Sequence, residues 1–196
     1  MDNKLSAIIL SAGFSERMGR PKALLQWNYS TVFVEKIINE FQQFGCGKII
    51  CIINEKIELF CKELKLAQNV KFVINQRPEL GRFNSVKLGA AEAAGSDFCF
   101  IHNVDNPFVN RKTIENLYLM RDADSWCSPV FSGKRGHPVL LPNAILKKIN
   151  KIDNLNTVLS DILNKYPVVR VEVEDDSILR NINTPEDYFN YIKLNL

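Results

Sequence analysis

At 196 residues, 46% hydrophobic and 24% charged, the chain has the balance of a soluble globular protein long enough to bury one sizeable core, which excludes the disordered and membrane-embedded classes. Its 25 basic and 22 acidic residues leave a net charge of +3, too small a surplus to argue for a nucleic-acid or membrane-surface partner, so any anion binding has to be local. No apolar run reaches the length of a signal sequence core or a membrane span, and the five cysteines form no CxxC pair, so they read as reduced core thiols of a cytoplasmic protein.

Short apolar runs alternate with amphipathic stretches, the pattern of βα units stacked into a parallel sheet. The first predicted strand covers residues 5–10. A helix follows over 31–44, where Phe33, Ile37, Phe41 and Phe44 share one stripe and Gly45-Cys46-Gly47 supplies a stop. A strand over 48–53, a helix over 56–66 and a strand over 70–74 come next, then a helix over 85–94 and a strand over 98–103. A helix over 111–121 follows, with Asn110 placed to cap it. Residues 125–131 and 138–141 read as strands joined by the turn Ser132-Gly133-Lys134-Arg135-Gly136, which breaks the βα alternation. A helix over 157–166, a strand over 168–173 and a helix over 185–194 complete the chain, the last with Thr184 as cap and Pro185 in its first turn. The expected fold is α/β, a single doubly wound and mostly parallel sheet flanked by helices over residues 1–196, with a late antiparallel excursion.

In open parallel sheets ligands bind beyond the carboxyl ends of the strands, which directs attention to the segment following the first strand. It reads Leu10-Ser11-Ala12-Gly13-Phe14-Ser15-Glu16-Arg17-Met18-Gly19-Arg20-Pro21-Lys22. Small residues let backbone N–H groups approach an anion, while Arg17, Arg20 and Lys22 bring positive charge to the same place. A solvated turn with surface cations is the alternative reading. The spacing matches neither a Walker A loop nor GxGxxG, which weakens the ATPase and dehydrogenase readings.

This segment resembles the signature LxAGxSxRMGxxK of MobA-like nucleotidyltransferases, and within them it looks closest to molybdenum cofactor cytidylyltransferases. The resemblance implies a nucleotide-diphospho-sugar-transferase-like fold, with Leu10, Ala12 and Gly13 lining the nucleotide and Arg17 and Lys22 holding its triphosphate. Lys22 is then expected on an exposed loop, touching only ligand. Further segments agree in order. Asn54, at the end of the second strand, occupies a place where relatives contact the nucleoside, though a turn former explains it as well. The run from Glu79 to Gly89 resembles the family's glycine loop and following helix, which implies that Gly81 and Ser85 meet base and ribose; a helix cap accounts equally for Ser85. Its order Arg82-x-x-Ser85-Val86 also resembles the cytidylyltransferases of isoprenoid synthesis, which favours a pyrimidine nucleotide. Asp105, in Asp105-Asn106-Pro107 after an apolar strand, corresponds to the family's Mg²⁺ ligand, against the plainer reading of a helix-entry acid. Asn183, before Thr184-Pro185, falls where relatives commonly supply a second metal contact. His137, in Gly136-His137-Pro138, belongs by resemblance to the acceptor side, a structural histidine being the alternative.

One stretch departs from the pattern. Residues 153–158, Asp-Asn-Leu-Asn-Thr-Val, stand where molybdenum cofactor cytidylyltransferases carry Gly-Asp-x-Gly-Ala-Arg, which leaves the acceptor open. The implied activity is Mg²⁺-dependent transfer of a nucleoside monophosphate, CMP from CTP in preference to GMP from GTP, to a small phosphorylated acceptor such as molybdenum cofactor. A sugar- or alditol-phosphate nucleotidyltransferase and a catalytically silent nucleotide-binding protein are the competing readings.

Overall fold

The computed structural model describes residues 2–64 and 66–192. Its strands are β1 (Asp2–Ser11), β2 (Cys46–Ile53), β3 (Val70–Ile74), β4 (Phe98–Asn103), β5 (Trp126–Phe131), β6 (Lys134–Arg135), β7 (Val139–Pro142) and β8 (Val168–Glu172). They form one sheet in the order β3-β2-β1-β4-β7-β5-β6, with β8 paired to β5. The first four strands of that order are mutually parallel, whereas β7 runs antiparallel to both β4 and β5. The turn at Ser132-Gly133 carries the chain from β5 into β6, so the antiparallel excursion lies where the sequence places it.

The helices are α1 (Phe33–Phe44), α2 (Glu58–Glu63), α3 (Arg82–Glu92), α4 (Arg111–Leu119), α5 (Asn143–Asn150), α6 (Leu159–Leu163) and α7 (Pro185–Tyr191). They cover both faces of the sheet. Along β1 the side chains alternate: Ala7 and Ile9 enter one core with Phe33, Ile37 and Phe41 of α1 and Ile114 and Leu117 of α4. Ile8 and Leu10 enter the other with Val86 and Ala90 of α3 and Ile145 and Ile149 of α5. Because both faces are covered, β1 reads as a continuous apolar run instead of an alternating one. Gly89 lets α3 lie close on β1, since a Cβ there would come 2.5 Å from Ile8 Cγ2.

Several boundaries depart from the sequence reading, each for a local reason. The helix expected over 56–66 is confined to α2 because a 3₁₀ turn at Glu55–Ile57, capped by Asn54 Oδ1 on Lys56 N, precedes it; residue 65 lies outside the described residues. The helix expected from Thr157 starts at Leu159, since Thr157 N and Oγ1 both donate to Asn154 O in a turn. α3 begins at Arg82, three residues before Ser85. α5 was not predicted. Its eight residues carry the apolar set Ile145, Leu146 and Ile149, which packs beside α3, and Asn150 Nδ2 donates to Ala90 O at 3.2 Å. The caps at Asn110 and Thr184 form as expected, and residues 193 and 194 of the last predicted helix lie outside the described residues. All five cysteines are buried, and none is in a disulfide. Among the described residues no helix is long and apolar enough to cross a membrane.

Candidate active site

β1 and β4 are parallel neighbours with Leu10 level with Asn103, so the loops that leave them emerge side by side at one edge of the sheet. The loop after β1 folds into two short 3₁₀ turns, Glu16–Met18 and Lys22–Leu24. Ser15, immediately before the first turn, adopts left-handed backbone angles (φ 56°), unusual for a residue with a side chain, and its Oγ accepts a hydrogen bond from Lys22 N at the start of the second, at 3.2 Å. Met18 is buried beneath the loop. From the end of β2, Asn54 Nδ2 donates to Ala12 O and Gly13 O, both at 3.3 Å. These ties turn Arg17 and Lys22 inward.

Their target is Asn183. Lys22 Nζ donates to Asn183 Oδ1 at 2.7 Å and stands 3.9 Å from Asp105 Oδ2, and Arg17 Nη2 donates to Asn183 Oδ1 at 3.3 Å. Asp105 lies two residues past β4, and its backbone carbonyl accepts from Ile182 N at 2.7 Å, which holds the segment before α7 against the β4 loop. Asp187, in the first turn of α7, accepts from both Asn183 N and Thr184 N, bonds that hold its carboxyl below its usual range. Burial pushes the Lys22 ammonium below its usual value; Asp105 opposes this, while Arg17 and Arg82 add to it. Lys22 is thus a largely buried cation in a small polar cluster, not the exposed, ligand-only contact expected from the sequence, because the loop closes back on Asp105 and Asn183.

A cleft of about 260 Å³ opens over this cluster. Ala12, Gly13, Arg17 and Lys22 line it from the β1 loop, Leu10 from the end of β1, Gly81 and Ser85 from the start of α3, and Asp105 and Asn183 from the opposite side. Gly81, at φ 86° and ψ 179°, takes an extended positive-φ conformation that side chains resist. Ser85 is not the cap of α3. It lies in the first turn proper, and its Oγ accepts from Asn75 Nδ2 at 3.0 Å. Asn54 lines no part of the cleft; its amide braces the loop and its oxygen caps the next turn. His137 lines an adjoining cleft of about 610 Å³ with Trp126, Arg135 and Leu155. Its Nδ1 is buried without a hydrogen-bond partner, and burial, then the Arg82 charge, lower its pKa against the raising effect of Asp105.

Arg82, singled out in the sequence only as the start of the order Arg82-x-x-Ser85-Val86, and Asn103, given no role there, line both clefts. The available signals for Arg82 were that order and its place directly after Gly81, a glycine that brings backbone close to a ligand.

His102 is structural. Its Nε2 lies 2.7 Å from Asn106 O, an acceptor, so Nε2 carries the proton and the ring is neutral; burial lowers its pKa to about 3, with His137 adding to the shift. Between the ordinary histidine value near 6.5 and about 3, the unfolded chain binds a proton that the folded chain does not, so stability rises with pH across that window. Urea unfolding from pH 7 to pH 4 should show a loss to which His102 contributes up to about 1.4 kcal/mol per pH unit below 6.5, that share being absent in His102→Gln while the part due to His137, whose pKa burial also lowers, persists. An unaltered slope in that variant would place the acid sensitivity elsewhere.

Asp105 also bears on metal binding. Its Oδ1 is buried and meets no hydrogen-bond donor, an arrangement that costs free energy unless a cation completes it. Among the described residues no group of three or more histidine, cysteine or acidic side chains comes together. A cation here would therefore take its remaining ligands from water and phosphate oxygens, the usual manner of Mg²⁺. Asn183 Oδ1 faces the same cluster, but Lys22 and Arg17 already donate to it and would have to yield to a metal.

A doubly wound sheet with a basic first-strand loop facing a β4 carboxylate defines a nucleotidyltransferase. The family model of the MobA-like NTP transferase domain matches residues 7–170, and the chain belongs to that family. A molybdenum cofactor cytidylyltransferase of Escherichia coli K12 is 27% identical over 94% of this chain and 93% of its own. A probable molybdenum cofactor guanylyltransferase of Clostridium perfringens strain 13 is also 27% identical, over 97% of each. In structure the chain resembles Rv0371c of Mycobacterium tuberculosis H37Rv in complex with manganese, with a TM-score of 0.79, 16% identity, and coverage of 97% of this chain and 99% of that one.

Proposed function

We propose that this nucleotidyltransferase, acting as one catalytic domain over its whole length, moves CMP from CTP to the phosphate of molybdenum cofactor or a closely similar acceptor. The observation that carries this reading is the meeting of Lys22, Arg17 and the Asp105 carboxylate in one cleft that opens into a second, larger one. In the reaction an acceptor phosphate oxygen attacks the α-phosphorus; a new P–O bond forms, the bond to the β-phosphate bridge breaks, and pyrophosphate departs with the electron pair. A phosphate monoester is already ionised near neutral pH, with a second pKa of about 6, so no general base is needed. Arg17 and Lys22 would hold the leaving phosphates, and Gly13 lets backbone approach them. Mg²⁺, held by Asp105 with Asn183 beside it, would neutralise charge on the triphosphate and fix its geometry.

The larger cleft would take the acceptor, with His137 on its wall. Its rim includes Leu155, Asn156, Thr157 and Val158, the stretch that departs from the cytidylyltransferase pattern, so differences in acceptor choice would arise there. Incubating the protein with Mg²⁺, each triphosphate and molybdenum cofactor, alone or replaced by a sugar or alditol phosphate, tests the reading by pyrophosphate release. CTP should exceed GTP in kcat/KM by roughly 10–100-fold, since the Gly81 to Gly89 segment and Gly136-His137-Pro138 resemble cytidylyltransferases. Equal or better turnover with GTP would reverse the base assignment. Binding of triphosphate without pyrophosphate release from any acceptor would favour a silent binding protein.

A further inference from the structure

In-line transfer constrains where the reacting phosphorus can sit. If the triphosphate tail lies over Lys22 and Arg17 and the acceptor enters from the larger cleft, the α-phosphate must lie where the two clefts meet. That junction is formed by Leu10 at the end of β1, Gly81 and Arg82 at the start of α3, and Asn103 at the end of β4, the residues common to both linings. Of these only Arg82 is charged. Among the described residues it makes no ion pair or side-chain hydrogen bond, whereas Lys22 and Arg17 are already engaged with Asn183 and Lys22 with Asp105. Its charge also reaches both sides, lowering the pKa of Lys22 in one cleft and of His137 in the other. An exposed arginine on a helix is ordinarily a solvated surface group. This one follows Gly81, whose extended positive-φ backbone sets the direction in which α3 starts, and so stands at the mouth of both clefts.

We infer that Arg82 is a catalytic residue of this enzyme, binding the non-bridging oxygens of the α-phosphate at the junction of the nucleotide and acceptor clefts. The inference rests on the nucleotidyltransferase reading above. It separates two cationic sites with distinct duties. Lys22 and Arg17 serve the departing pyrophosphate. Arg82 serves the phosphorus under attack, where a fork of N–H donors can follow charge onto the equatorial oxygens as the fifth bond forms.

The separation can be measured without knowing the acceptor. Calorimetric titration in Mg²⁺ of wild type, Arg82→Met and Lys22→Ala with CMP, GMP, CTP and inorganic pyrophosphate forms a double comparison. Arg82→Met should weaken binding of the preferred monophosphate and of its triphosphate by roughly 10–100-fold, leaving pyrophosphate affinity within about twofold. Lys22→Ala should do the reverse, weakening pyrophosphate and triphosphate but sparing the monophosphate. Arg82→Lys should recover only part of the loss, since one ammonium cannot reproduce the fork. If wild type binds these ligands and Arg82→Met changes none of them, Arg82 is a surface cation and the inference fails while the nucleotidyltransferase reading stands. If Arg82→Met weakens pyrophosphate as much as monophosphate, Arg82 belongs with Lys22 and the two-site division is wrong. Wild-type protein that binds neither a monophosphate nor pyrophosphate would overturn both the inference and the reading beneath it.

Discussion

Asp105→Asn is expected to lower turnover by about 10²–10³, the usual loss when one electrostatic contact to a transition state is removed. The substitution keeps the side chain's shape and changes only its charge. Oδ1 of Asp105 is buried with no donor, and its other oxygen faces Lys22 at 3.9 Å, beyond direct hydrogen-bonding distance. Neither oxygen has the strong partner that a buried carboxylate requires on structural grounds alone. Loss of the carboxylate should also raise the Mg²⁺ concentration needed for half-maximal rate. Thermal stability without metal or nucleotide should stay within about 1 kcal/mol of wild type, because Lys22 keeps its 2.7 Å bond to Asn183 and a pair at this distance contributes little. Near-normal turnover at low Mg²⁺ would show that Asp105 only shapes the loop after β4.

Most of the sheet could be read in advance because its strands are short, apolar and separated by amphipathic stretches, and burial on both faces leaves their apolar runs unbroken, as in Ile49 to Ile53. Helix ends were less legible. Asn54 and Asn154 divert the chain into local turns whose hydrogen bonds outcompete one more turn of helix at α2 and α6. α5 escaped notice because eight residues with one apolar patch lie below the length at which helical period separates from noise; it forms through contact with α3.

The site divides along similar lines. Residues fixed by a contiguous loop pattern, Ala12, Gly13, Arg17 and Lys22, line one cleft, joined there by Asp105 and Asn183 from distant parts of the chain. What sequence order cannot convey is which polar group meets which. Asn54 faces the loop backbone instead of the cleft, and Ser85 partners Asn75 from the neighbouring strand end, a pairing that depends on the crossover between them. Arg82 stands in an Arg-x-x-Ser-Val order that resembles the cytidylyltransferases of isoprenoid synthesis, but sequence order does not say which group it meets; its place becomes informative only once two clefts are seen to share it.

Lys22→Ala is expected to weaken triphosphate binding by roughly 10–100-fold, the equivalent of a charged hydrogen bond, and to lower turnover by a further 10²–10³ where the lysine follows charge onto departing pyrophosphate. The structure adds a second effect that an exposed lysine would not produce. Lys22 Nζ makes the shorter of the two bonds to Asn183 Oδ1, so its removal leaves that oxygen with only the 3.3 Å bond from Arg17 in a largely buried setting, and takes the nearby cation from Asp105. Unliganded Lys22→Ala should therefore lose about 1–3 kcal/mol of stability, in contrast to Asp105→Asn, which should lose almost none. Adding Mg²⁺ alone should restore part of that loss, because the metal would bind Asp105 without having to displace an ammonium. Differential scanning fluorimetry with and without Mg²⁺, beside calorimetric CTP titration, reads all of these effects. Unchanged CTP affinity would place the triphosphate away from this lysine, and unchanged stability with no Mg²⁺ response would mean that the bond from Lys22 to Asn183 carries no weight in the folded protein.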